Sequence, residues 1–195
     1  MSPMNHLQTG FAALMLTGFI ACGGGGGGSS APPPTATSLS YTDPTTGTYL
    51  LKKNTALSTA THLVLDLVGP ASTTGSGITA TFSTDATKVA WANVASGDPA
   101  GTYLQNGTAF NLGTAPQILK GKVTGDTLQV TAAQKGTGSP ISLNAPLLRV
   151  ALDLKASQPM GAVTLTADSS KCQMLDGSGA IVSPITVIVG TLTGQ

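Results

Sequence analysis

The sequence predicts an all-β protein: a jelly-roll β-sandwich of about nine strands, preceded by a signal peptide and a flexible Gly/Pro tether. Three observations carry this. From Thr35 onward the apolar residues recur with period two, the spacing that sends alternate side chains to opposite faces of a strand. The apolar runs are short and are separated by Gly, Pro, Asn and Asp. Thr, Ser and Gly fill much of the remainder, and these residues favour helix poorly.

The N-terminal segment is different in kind. Residues Phe11–Ile20, "FAALMLTGFI", form an apolar run of ten. A bilayer core of about 30 Å needs roughly 20 residues, so the run suits the apolar region of a signal peptide and not a membrane span. The preceding "MSPMNHLQTG" carries His6 but no Lys or Arg. After Ala21 comes Cys22, followed by six glycines, two serines and then Pro32–Pro34. Gly23–Ser30 reads as a coil spanning on the order of 16 Å, and the prolines add about 9 Å of stiff polyproline II. A phosphate-cradling loop is excluded, because no strand precedes the glycines and no Gly-Lys-Ser/Thr follows them. The expected division is a signal peptide over 1–21, a modified cysteine and linker over 22–36, and a β-sandwich domain over 37–195.

The quartet Phe19-Ile20-Ala21-Cys22 resembles the lipobox of bacterial lipoproteins. Ala21 and Cys22 match, whereas Phe19 and Ile20 depart from the usual leucine and small residue. The resemblance implies cleavage before Cys22 and lipidation of that residue. The protein would then be held on a membrane by acyl chains worth about 0.8 kcal/mol per buried CH₂. It also implies a bacterial cell-envelope location, lipid-anchored at the outer membrane and facing the periplasm or the cell surface.

The strands follow in order. "THLVLDLV" at 61–68 places Leu63, Leu65 and Leu67 on one face, with His62, Val64, Asp66 and Val68 on the other, and Gly69-Pro70 stops it. "GITATFSTD" at 77–85 sends Ile78, Ala80 and Phe82 inward and Thr79, Thr81 and Ser83 outward. "KVAWANV" at 88–94 groups Val89, Trp91 and Asn93. "QILKGKV" at 117–123 and "DTLQVTAAQ" at 126–134 read as a hairpin around Thr124-Gly125, with Leu128, Val130 and Ala132 inward. "PLLRVALDLK" at 146–155 buries Leu148, Val150, Leu152 and Leu154 and leaves Arg149, Asp153 and Lys155 to solvent. Strands at 162–168, 172–175, 180–182 and 185–192 complete the set. A short helical turn is expected near Asp85–Thr87.

Four of these segments carry a further resemblance: "THLVLDLVGP", "GITATFSTDATKVAWANV", "GDTLQVTAAQKGTG", and "APLLRVALDLKAS" with "GAVTLTADSSKCQMLDGSGAIV". Their order over about 61–182 resembles a bacterial cohesin domain, within the wider group of jelly-roll sandwiches that includes carbohydrate-binding modules. Ser83-Thr84 and Ala86 depart from the aromatic and the proline of that pattern. The resemblance implies a non-catalytic binding or scaffolding module with a protein partner in the envelope. The alternative it implies is a module that recognises a polysaccharide.

Composition narrows the chemistry. Charged residues make up 9% of the chain and the net charge is +1. Without a basic patch, a nucleic-acid partner is not expected. All the acids are Asp. Cys172 stands alone once Cys22 is modified, and reads as a small core or edge residue. His62 and Asp66 lie about 13 Å apart along one strand face and cannot pair, and no strand–turn–helix nucleophile elbow occurs. Asp43, Asp85, Asp98, Asp126, Asp168 and Asp176 fall in turns, where their chemistry is structural. No catalytic residue, metal or cofactor is therefore expected. "DGSG" at 176–179 and "SGDPAG" at 96–101 could offer oxygens to Ca²⁺, but neither approaches an Asp-x-Asp-x-Asp-Gly loop; both read as tight turns. The one candidate ligand site is the polar loop flanked by Tyr103 and Phe110, where Gln105 and Asn106 could bond a sugar hydroxyl. A glycan binder would expose coplanar aromatics in a groove. A scaffold module would expose a flat sheet face with scattered apolar residues.

Overall fold

The structure is a computed structural model that describes residues 32–110, 117–134 and 139–195. The signal segment, Cys22 and the glycine run lie outside the described residues. The described residues form sixteen strands. β1 (Leu39–Thr42) and β2 (Tyr49–Lys53) precede β3 (His62–Val68), β4 (Thr74–Thr84) and β5 (Val89–Ala92). β6 (Gln105–Asn106), β7 (Gln117–Thr124), β8 (Thr127–Gln134) and β9 (Ile141–Ser142) follow, then the long β10 (Pro146–Leu154). β11 (Gly161–Val163), β12 (Leu165–Ala167), β13 (Gln173–Asp176), β14 (Ile181–Val182), β15 (Val187–Ile188) and β16 (Thr191–Gly194) complete the chain.

They build the expected β-sandwich. One layer has the order β15-β2-β3-β10-β5, with β6 also on β10. The other runs β14-β13-β4-β8-β7, with β9 and β12 also on β4. A small third sheet, β1-β16-β11, adds Leu39, Tyr41, Val163 and Leu192 to the core. Alternation explains the rest of that core. Leu63, Leu65, Leu67, Leu148, Val150 and Leu152 face Ile78, Ala80, Phe82, Leu128, Val130 and Ala132 across the layers. Phe82 meets Trp91 at 6.3 Å between ring centroids, a distance at which tilted aromatic pairs attract. The Trp91 indole N–H donates to the Asp126 carbonyl at 2.9 Å.

Several expectations need correction. The β7–β8 turn is Gly125-Asp126 and not Thr124-Gly125, since Thr124 and Thr127 are paired. Gly125 has φ +64, as the first central residue of a type II′ hairpin turn requires. The 162–168 run breaks at Thr164: β11 joins the small sheet and β12 joins β4. The Thr164 carbonyl accepts from Asp85 N and from the Thr84 hydroxyl instead of continuing a ladder. The 185–192 run divides in the same way into β15 and β16. Residues Asp85–Thr87 form a turn closed by the Asp85 carboxylate on Thr87. The one helical turn among the described residues, a 3₁₀ turn, is Ser169–Lys171, capped by Asp168. Thr35 and Ala36, assigned to the linker, belong to the fold: Thr35 bridges Pro159, and Ala36 is buried.

Arg149 is the most informative correction. Alternation puts it on the outer face of its sheet, but it is not solvated. Its Nε lies 2.9 Å from Asp66 Oδ1, and the two side chains are only 19% and 12% exposed.

Candidate functional site

The two large sheets treat their outer faces differently. Loop residues cover that of the six-stranded sheet. Val94 packs with Val64 and Ala151 in a second small apolar cluster. His62 Nε2 sits 3.1 Å from the Val94 carbonyl, while its Nδ1 is 2.6 Å from Asp153. Asp66 accepts from Asn54 as well as from Arg149. Gln105 donates to both carboxylate oxygens of Asp98, and Asn93 holds the carbonyls of Asp98 and Pro99.

Among the described residues, the outer face of the seven-stranded sheet is closed at Thr81, which is 3% exposed, and open towards Ile118 and Ile181. Register sets its side chains in rows. The first row crosses five strands as Ile181, Leu175, Gly77, Ala133 and Ile118. The second is Gln173, Thr79, Thr131 and Lys120, and the third is Thr81, Gln129 and Lys122. The fourth is Ser83, Thr127 and Thr124. The Thr79–Thr131 and Ser83–Thr127 hydroxyls pair across strands at 3.0 Å each. The apolar row is accessible at its two ends, where Ile181 is 63% exposed and Ile118 39%, while Ala133 between them is buried.

Depressions among the described residues border this sheet. One of about 170 Å³ lies over Gly77 and Ala133, walled by Ile118 and Leu175. One of about 360 Å³ is lined by Thr81, Lys122, Thr127, Gln129 and Lys171. The largest, about 540 Å³, lies along Lys120, Gly121 and Lys122 beside Thr102. Gly77 is required where it stands. A Cβ there would meet the Ala133 Cβ at 2.6 Å and the Ala133 Cα at 3.2 Å.

The sequence-predicted ligand residues are brought into one loop, where the amide N–H groups of Gln105 and Asn106 are engaged within it while the buried Asn106 Oδ1 has no partner among the described residues. Phe110 is buried in the core at 2% exposure. Tyr103 packs half-buried against the core with φ 53. Gln105 is committed to Asp98, and Asn106 donates to the Phe110 carbonyl at 2.8 Å. Tyr41, Tyr49, Phe82 and Trp91 are likewise buried, so no aromatic ring after the signal segment is exposed.

The other polar candidates resolve into local structure. Asp176 accepts from Ser178 and from the Ala180 amide, which holds its carboxyl below the usual aspartate range. Cys172 is fully buried, and burial pushes its thiol pKa up. No group of three His, Cys, Asp or Glu side chains among the described residues is placed to hold a metal.

The rows on the open face were missed by sequence reasoning. Alternation marked Thr79, Thr81 and Ser83 as outward, but which residue lies beside which across the strands is a property of register alone.

No protein-family model matches the chain, and no curated protein matches it. Solved structures do. The second type II cohesin module of the ScaA scaffoldin of Acetivibrio cellulolyticus aligns with a TM-score of 0.61 at 12% identity, over 76% of this chain and 90% of that one. A type II cohesin–X-dockerin complex from the same organism gives 0.58 at 14% identity, covering 72% and 95%. Type II cohesin A11 of Bacteroides cellulosolvens gives 0.54 at 17%, covering 73% and 96%. The domain is cohesin-like in fold, as the strand order implied.

Proposed function

We propose that this protein is a non-catalytic, lipid-anchored protein-binding module of the bacterial cell envelope, and that it docks its partner on the open face of the seven-stranded sheet. The observation that carries the reading is the apolar row that crosses this face between two exposed isoleucines, Ile181 and Ile118. Such a face supplies apolar area to a partner protein without further rearrangement. The structural relatives support it, since one of them is a cohesin in complex with a dockerin-bearing protein. The absence of an exposed aromatic platform places polysaccharide recognition second, because hydroxyl hydrogen bonds exchange with water at little net gain. The anchor in this reading is Cys22, in an outer membrane, with the domain in the periplasm or at the cell surface.

Two measurements test this. Cys22→Ser is expected to abolish acyl labelling and the lipid-anchored membrane fraction; an unmodified Cys22 in the intact mass of the wild type would refute the anchor. The full-length chain, immobilised against envelope extract and a polysaccharide panel, is expected to retain a protein. Ile118→Asp is expected to remove that protein, whereas Lys52→Ala on the opposite sheet is not. Saturable polysaccharide binding without protein retention would replace the docking reading by the alternative.

A further inference from the structure

We infer that the free edge of β7 is a second interaction surface, which takes up an extended segment of a partner protein as a further antiparallel strand and selects carboxylates at alternate positions of that segment. It is separate from the face described above and works by a different contact, backbone on backbone.

The edge follows from the hairpin. Thr124 and Thr127 flank its two-residue turn and stand opposite each other, so they form a hydrogen-bonded pair, and such pairs then alternate along the ladder. Lys122–Gln129, Lys120–Thr131 and Ile118–Ala133 are therefore bonded pairs, whereas Leu119, Gly121 and Val123 turn their N–H and C=O groups away from β8. β7 ends its sheet, and among the described residues these outward groups meet no backbone partner. Unpaired edge groups are a template for another strand. The depression of about 540 Å³ lies along this edge, lined by Leu119, Gly121 and Thr102 as well as by the two lysines. A Cβ on Gly121 would stand 2.5 Å from the Thr102 carbonyl oxygen, so the incoming residue opposite Gly121 has to be small. Leu119 and Val123, partly buried against the core, offer apolar neighbours on either side of it.

Charge chooses the segment. Lys88 and Lys155 each donate to a backbone carbonyl, and Lys171 lies 3.0 Å from Asp168. Lys120 and Lys122 are exposed and form no ion pair among the described residues. Each of the eight aspartates already has a hydrogen-bond partner in the fold. A second copy of β7 fits poorly. With like faces aligned around Gly121, Lys120 of one copy falls opposite Lys122 of the other, and like charges opposed across strands destabilise. A segment with two acidic residues, one position apart from each other, instead sets a carboxylate against each lysine.

The test uses the full-length chain and the peptide Thr-Val-Asp-Ala-Asp-Val-Thr, read by amide hydrogen exchange. Its Ala falls opposite Gly121 and its two Asp residues opposite Lys120 and Lys122. Binding is expected to protect the amides of Leu119, Gly121 and Val123. N-methylation of the Ala, whose N–H points at β7, is expected to abolish that protection; N-methylation of the first Asp, whose N–H points to solvent, is not. A peptide with Lys for Asp is expected to bind about tenfold more weakly at low salt. In Lys120→Glu/Lys122→Glu the order of the Asp and Lys peptides is expected to invert. No protection of these amides at millimolar peptide, equal binding of the two N-methylated peptides, or an order unchanged in the charge-reversed variant overturns the inference. A wild-type dimer that protects the same amides without peptide also overturns it, by giving the edge to a second copy.

Discussion

Asp66 and Arg149 form a charge pair that the sequence disguises as two surface residues. The period of β3 and β10 assigns each to the outer side of its sheet, correctly, but says nothing of what lies above that side. Here Asn54 donates to Asp66, Gln105 stands beside Arg149 in register, and Asp66 is left only 8% exposed. A buried carboxylate that loses its cation keeps its desolvation cost. Arg149→Met is therefore expected to destabilise the fold by about 2 kcal/mol, at the lower end for a buried pair because both side chains retain some exposure. Asp66→Leu/Arg149→Met is expected to recover most of that loss. Urea denaturation of the two single variants and the double variant measures the coupling, and additive losses would show that the pair is uncoupled.

At the scale of the strand, Gly77 decides how closely β4 and β8 approach on the outer face. Gly77→Ala forces its new methyl against Ala133 and is expected to cost 1–3 kcal/mol as an overpacked contact, at about the usual range. Gly77→Ala/Ala133→Gly moves the methyl across the pair and is expected to restore part of the loss; thermal unfolding of both variants checks this. The inward positions of β4, β8 and β10 were legible in the sequence because burial enforces a strict period of two over many residues. Breaks were less legible. Thr164 fits the alternation of its neighbours, yet the chain changes sheets there because its carbonyl is taken by Thr84 and Asp85. β1 and β2 were passed over because four- and five-residue strands carry too few alternations to stand out. The segment between Tyr103 and Phe110 was legible as a polar stretch between aromatics. Whether Gln105 faces solvent or Asp98 depended on a contact seven residues away, and Phe110 is drawn inward by the core.

For the whole molecule, the titrating groups with shifted pKa values define a plateau of stability. Asp85, Asp168 and Asp176 are each held below the ordinary value of 3.8, first by hydrogen bonds from Thr87, Ser170 and Ser178. Their contribution is present above that ordinary value and is lost as pH falls through the lower folded values. Tyr41 is pushed up to about 12 by burial. Its contribution is whole below the ordinary value of 10.0 and is lost as pH rises towards the folded value. Denaturant midpoints are therefore expected to be flat between about pH 5 and pH 9 and to fall on both sides. A maximum confined to the acid limb would contradict the assignment of these groups.

Tyr41 has a mechanical consequence as well. It lies on β1, the outermost strand of the small sheet, which is laddered only to β16. The folded unit begins at Pro33, so a tug on the chain there meets the Thr35–Pro159 bridge and the Ala36 N–H bond to the Gln158 carbonyl, and then β1. The four residue pairs of the β1–β16 ladder, once the bonds of Thr37 and Ser38 to Gln195 are lost, would peel open in sequence from Leu39 and Gly194. The Tyr41 hydroxyl prevents a simple peel, because it donates to the Leu51 carbonyl at 2.7 Å and accepts from Gly190 N at 2.6 Å. One side chain thus rivets the leading strand to β2, in the main sandwich, and to the approach to β16. A stretch on the chain ahead of β1 is shared with the body of the domain before the first ladder bond gives way.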